Sequence, residues 1–356
     1  FLRNFSCKLT SKMSLVTVKD AATVWKYLNG VINVYKPAGL TVQQVRHTII
    51  GNLCRDLNEL RVRPPLQRVA IASGAESRFV VRAVEDLSDN VLVVGPRYQT
   101  EDLRVRTCAN HGRLTSGVLV LGINKGLSTV FRIQQNRPLR VYRITGFLGK
   151  ATESHFGDSR VIAKATVDHI GSDKIARLLA SMQASHQKKM FELCGVDMQS
   201  QAAYDLAVKG TIRPADNSQP MIYGIRLAEF RRPFFTIEIH AINETEPYLG
   251  QLIHEIGLGL KSVAHCVAIR CIRHGHFELD TALLRHDWNL QCVLAGMASS
   301  RQLLQEHPEM LHQTSTELVG IGQQNEGEDG GRRWRRSSRF AQDKGEIYED
   351  DGNTKK

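Results

Sequence analysis

The chain has 356 residues, 42% of them hydrophobic, enough for a substantial core in one large domain or two ordinary ones. Its 47 Lys and Arg against 36 Asp and Glu leave a net charge of +11, which draws the chain toward a polyanion, most simply nucleic acid, although mitochondrial matrix proteins are often basic whatever they bind. Seven scattered cysteines argue against a disulfide scaffold, and the longest apolar runs, such as 118–123, are far too short to cross a bilayer as helices.

Residues 1–19 carry Arg3, Lys8, Lys12 and Lys19 with several Ser and Thr, and no acid precedes Asp20. That is the composition of a mitochondrial presequence, so 1–27 is read as presequence and linker leading to the matrix, with Met13 as an alternative start. Residues 30–36 read as a short apolar strand ending in the Lys36-Pro37-Ala38-Gly39 turn, and a helix follows from Thr41 as N-cap. Residues 51–68, with Arg55, Arg61, Arg63 and Arg68 around Pro64-Pro65, read as an exposed basic loop. Strands are expected at 78–83, 91–95 and 117–122, a helix at 125–135 and a strand at 139–148. Ile175, Leu178, Leu179 and Met182 share one face of a helix over 172–187. A second helix spans 201–209, capped by Ser200 and stopped by Gly210.

Strands return at 222–230 and 234–242, followed by a helix at 248–260 and a strand at 263–272. Mixed strands and helices without a regular βαβ repeat give an α+β fold class. His265, Cys266, Cys271, His274 and His276 are soft ligands, but their spacing is no zinc knuckle, and buried cysteines in a strand are the better reading. The folded domain is expected over 28–313, and 314–356 is read as a disordered, charged tail. Its Arg332-Arg333-Trp334-Arg335-Arg336 cluster could touch RNA by charge and stacking, and a solvated tail explains it as well.

With these pieces placed, the chain resembles the TruB family of pseudouridine synthases, particularly its short mitochondrial branch, from about Gly30 to Trp288. Five segments carry the resemblance in order. They are Lys36-Pro37-x-Gly39, Thr115–Gly122, Arg140-Val-Tyr142 with Leu148-Gly149, Ala203-Tyr204 through Gly210, and Tyr248–Gly257 with Ile269-Arg270 through Phe277. The resemblance implies a mixed sheet with flanking helices, an RNA cleft across its middle, and uridine-to-pseudouridine isomerisation without metal or cofactor. It places the stacking tyrosine at Tyr142 and the opening lysine at Lys36, with Gly39, Ser116 and Gly117 around the uridine pocket.

Two groups that the resemblance requires are missing. The family's catalytic Asp lies four residues before the Ser-Gly pair, where this chain has Gly112. The family's Arg lies in a Tyr-Ile-Arg-x-Leu motif, and here Gly250 takes its place in Tyr248-Leu249-Gly250-Gln251-Leu252. Three readings follow. The first is an RNA-binding protein on tRNA, mRNA or rRNA that has lost catalysis. The second is an active isomerase with a relocated carboxylate, for which Glu101 and Asp102 are the nearest acids along the chain. The third is a protein-interaction subunit that no longer binds RNA.

Overall fold

The computed structural model describes residues 20–62, 67–73, 79–86, 91–208, 213–214, 219–311 and 318–319. The expected presequence before residue 20, Gly210 and nearly all of the charged tail lie outside the described residues. In chain order the first half forms α1 (Ala21–Tyr27), β1 (Gly30–Lys36), α2 (Val42–Glu59), the hairpin of β2 (Gln67–Ser73) and β3 (Phe79–Glu85), α3 (Val91–Val94), β4 (Val105–Thr107), β5 (Thr115–Ile123), α4 (Gly126–Gln135) and β6 (Arg140–Leu148). The second half adds β7 (Lys150–Thr152), β8 (Val161–Lys164), α5 (Ser172–Leu193), α6 (Gln201–Val208), β9 (Arg213–Pro214), β10 (Met221–Arg231), β11 (Phe234–Ile242), α7 (Glu246–Gly259), β12 (Ala264–His274), β13 (Phe277–Glu278), α8 (Leu290–Glu306) and β14 (Leu318–Val319).

Eight strands make one mixed sheet in the order β1-β5-β12-β6-β11-β10, with β4 added beside β5 and β13 beside β12. β5 and β12 run parallel, and the other pairs are antiparallel. This is the α+β class that the sequence implies. All nine residues of β5 are buried. Val118 and Val120 enter a core shared with α4, α5 and α7 on one face. Leu119, Leu121 and Ile123 enter a second core under α1, α2 and α8 on the other. A strand covered on both faces has no polar side, which is why this segment is an unbroken apolar run.

α2 starts where Thr41 and Gln44 form a reciprocal capping box, and it buries Val45, Ile49, Leu53 and Leu57 along one stripe. Each such burial contributes about 1.5–3 kcal/mol. That stripe carries the helix to Glu59, so 51–59 is helical and not the basic loop expected from its arginines; Arg55 simply points outward. Residues 91–94 are a helical turn rather than a strand, since so short an apolar run has no period to distinguish the two. α5 continues to Leu193, beyond the expected end at 187. α8 has no counterpart in the sequence reading; Asn289 caps it, and Leu290, Val293 and Met297 close the second core.

The packed domain also starts earlier than residue 28. Asp20 caps α1, whose Ala21 and Val24 are buried, and Leu28 just beyond it is fully enclosed. In β12 the soft-ligand candidates are dispersed. Cys266 and Cys271 are core residues of the strand, separated by a bulge. His265 bonds the Lys150 carbonyl, and His274 faces the Cys108 sulfur at 3.6 Å. His276 instead stacks on His307, and both rings bond Glu309. Among the described residues, no helix is long and apolar enough to cross a membrane.

At Gly117, β5 passes directly against the Cys271 backbone of β12. The φ of +112° at this glycine lies in a region that side chains avoid, and a Cβ there would overlap the Cys271 backbone. Gly117→Ala is expected to destabilise the chain by more than about 3 kcal/mol, read as a lowered urea midpoint or loss of soluble protein. A midpoint within error of wild type would contradict this packing.

Candidate active site

The register of β1 on β5 pairs Lys36 with Gly117, which slides the lysine beneath the loop before β5. Lys36 is fully buried. Its ammonium donates to the Thr115 carbonyl at 2.6 Å and, at 3.4 Å, to the carbonyls of Arg113 and Pro37. The turn after it is tied to the same loop. Gly39 adopts φ +89°, which a residue with a side chain rarely does. Its N–H donates to the Arg113 carbonyl at 2.8 Å, and the Arg113 Nε donates back to the Gly39 carbonyl at 3.2 Å. Lys-Pro-x-Gly is thus a clamp on residues 113–115, and Ser116 fixes their far end by donating to the Ile269 carbonyl of β12.

A cleft of about 400 Å³ opens beside this loop, lined by Thr41, Gln43, Arg46, Asn110, His111 and Gly112 among others. The Arg46 Nε is buried there without a hydrogen-bond partner. His111 forms part of the wall and bonds the Val118 carbonyl at 2.9 Å, as a donor if Nε2 carries the proton. Burial pushes the pKa of its imidazole down to about 3, so the ring is neutral at physiological pH.

A carboxylate is present at position 112 although residue 112 is glycine. A Cβ built on Gly112 would overlap the carboxyl group of Glu246, the first residue of α7. The Thr115 N–H and hydroxyl both donate to Glu246 Oε2, each at 2.6 Å. No donor among the described residues reaches Oε1. The helix start places Glu246 where unsatisfied N–H groups favour a negative charge. Lys36 lies close enough for its charge to be felt: burial lowers its pKa to about 8, opposed by attraction to Glu246.

The other expected groups are arranged differently. Tyr142, on β6, is only 2% exposed; its ring meets His111 edge-on, and its hydroxyl donates to Glu244 at 2.6 Å. Arg140 bonds the same carboxylate oxygen at 2.7 Å. Burial pushes the tyrosine phenol well above its ordinary value and raises the Glu244 carboxyl against the pull of Arg140. In this structure Tyr142 belongs to a buried network with Glu244 and Arg140, and His111 lines the cleft in its stead. At Gly250 a Cβ would stand 2.8 Å from the Phe156 ring, so phenylalanine fills the space where an Arg side chain would begin.

Glu101 and Asp102 lie on the turn before β4. Glu101 bonds its neighbour Thr100 and Asp102 accepts the Gln99 N–H; neither lines the cleft, and Glu246 meets it only through its contact with Gly112. The sequence reading missed Glu246, which is 131 residues from Thr115. A signal was available: Glu246 precedes Gly250 by four residues, one helical turn, on the helix that the motifs already place beside the cleft.

Residues 112–246 match the model of the TruB family pseudouridylate synthase N-terminal domain. The chain is similar to the mitochondrial pseudouridylate synthase TRUB2 of Xenopus tropicalis, at 41% identity over 79% of this chain and 88% of that one. The human protein of the same description is 37% identical over 74% of this chain and 81% of that one. Among solved structures, the archaeal box H/ACA sRNP Nop10-Cbf5 complex aligns at 19% identity and a TM-score of 0.38, covering 81% of this chain and 59% of that one.

A lysine whose folded pKa is lowered from 10.5 to about 8 leaves the unfolded chain binding more protons between those values, so its contribution to stability rises with pH across that window. Wild type should therefore gain stability relative to Lys36→Met between about pH 7 and pH 10, measured as urea midpoints. Midpoints moving in parallel would mean that Lys36 is not desolvated as described.

Proposed function

The chain belongs to the TruB family of pseudouridine synthases, and on that premise we propose that it binds RNA in the mitochondrial matrix and takes an everted uridine into the cleft beside Gly112. The observation that carries this reading is the cleft itself. One wall is the N-terminal turn of α2 with Arg46, another is the loop of Asn110, His111 and Arg113, and the Glu246 carboxylate lies next to it. Arginines in the lining suit a phosphate backbone, and a volume of about 400 Å³ suits a base taken out of its stack. The net charge of +11 attracts the polyanion, and the relatives named above are described as mitochondrial.

RNA is the partner that this chemistry recognises, whether transfer, messenger or ribosomal, and the arrangement calls on neither metal nor cofactor.

Fluorescence anisotropy with labelled mitochondrial transcripts tests the reading. Affinity should fall by orders of magnitude between about 50 and 200 mM salt, and Arg46→Gln should weaken binding and reduce the salt slope by about 1. Binding that is absent, or flat across that salt range, would favour the protein-interaction reading.

A further inference from the structure

We propose that Glu246 is the catalytic carboxylate of this chain, brought into the volume of the missing residue-112 side chain from the start of α7, with Lys36 as its positioning cation. The inference rests on the reading that RNA uridine enters this cleft, and it adds that the uridine is isomerised there. Four observations converge on Glu246. Its carboxyl group lies where any side chain on residue 112 would begin. Thr115, on the same loop, anchors Oε2 through two donors and no described donor engages Oε1. Gly112 is the residue type that the arrangement demands, since a larger residue there would collide with the glutamate.

The fourth observation concerns charge. The position of the family's arginine is closed by Phe156, so the cation must come from elsewhere. Lys36 reaches the loop from beneath, bonds the carbonyl of the residue that anchors Glu246, and adds its positive charge. The glycines at 112 and 250 are therefore parts of one rearranged site rather than two independent losses.

The chemistry balances without a co-reactant. Glu246 Oε1 attacks ribose C1′ and forms an ester as the C1′–N1 bond breaks, its electron pair leaving on uracil N1. The detached uracil turns, and C5 attacks C1′ to form the carbon–carbon bond while the carboxylate leaves. C5 then gives its proton to water and N1 takes one up. The product is an isomer of the substrate, and Glu246 is regenerated as the anion.

The test is tritium release from mitochondrial transcripts labelled at uridine C5, with RNA binding measured on the same preparations. Wild type should release tritium. Glu246→Gln keeps an acceptor for Thr115 and should keep RNA affinity within about twofold, while release falls by about a thousandfold or more. Glu101→Gln and Asp102→Asn should release at the wild-type rate. Gly112→Asp alone should be inactive, because two carboxyl groups then compete for one volume. The exchange variant G112D/E246G should recover release, since one carboxylate again occupies the volume. Wild type that binds RNA without releasing tritium would overturn the inference and leave RNA binding standing, as would full release by Glu246→Gln. Absence of RNA binding would remove both.

Discussion

Two groups cannot occupy one volume, and around Gly112 that exclusion organises the site. The Glu246 carboxyl fills the space that a side chain on residue 112 would need, and Thr115 holds it there through its backbone and its hydroxyl. This contact requires the start of α7 to meet the start of β5, which the sheet arranges by running β12, the strand after α7, parallel to β5. The close approach of Gly117 to Cys271 sets how near those two strands come. The position of one carboxylate thus depends on the packing of half the sheet.

Beneath the loop a second constraint applies. Lys36 is shut away from solvent and commits its hydrogen bonds to carbonyls that would otherwise point into a buried space. A buried ammonium is costly to hold unless its donors are satisfied and a negative charge is near. The lysine therefore orders the loop and supplies positive potential next to Glu246 from one position. The Arg140–Glu244–Tyr142 network is a separate charge-balanced unit, close enough to shape the floor of the cleft through His111.

Much of the fold was legible in the sequence because the signals were local. The capping box at Thr41, the apolar run of β5 and the alternation of β6 each specify an element from a few neighbouring residues. Failures came where local signals were weak or pointed the wrong way. The arginines after residue 50 suggested a loop, although the apolar stripe through Leu57 continued the helix. The apolar run at 91–94 was too short to show a period, and α8 is stabilised largely by packing under the sheet. The site divides in the same manner. Lys36, Gly39, Ser116 and Tyr142 lie in motifs and could be named, whereas the burial of Tyr142 could not be foreseen. Glu246 was invisible as a partner of residue 112 because their proximity is created by the sheet and not by sequence distance.

The exclusion between Glu246 and a side chain at 112 also bears on how such a site can change over generations. Single substitutions connect the two arrangements through a chain with both carboxyls forced together or a chain with neither. Each intermediate is handicapped, by crowding of like charges in the first case and by an empty anchor at Thr115 in the second. Phe156 against Gly250 adds another step, since an arginine there must first displace the ring. Converting the present arrangement into the other therefore calls for several coordinated changes at once.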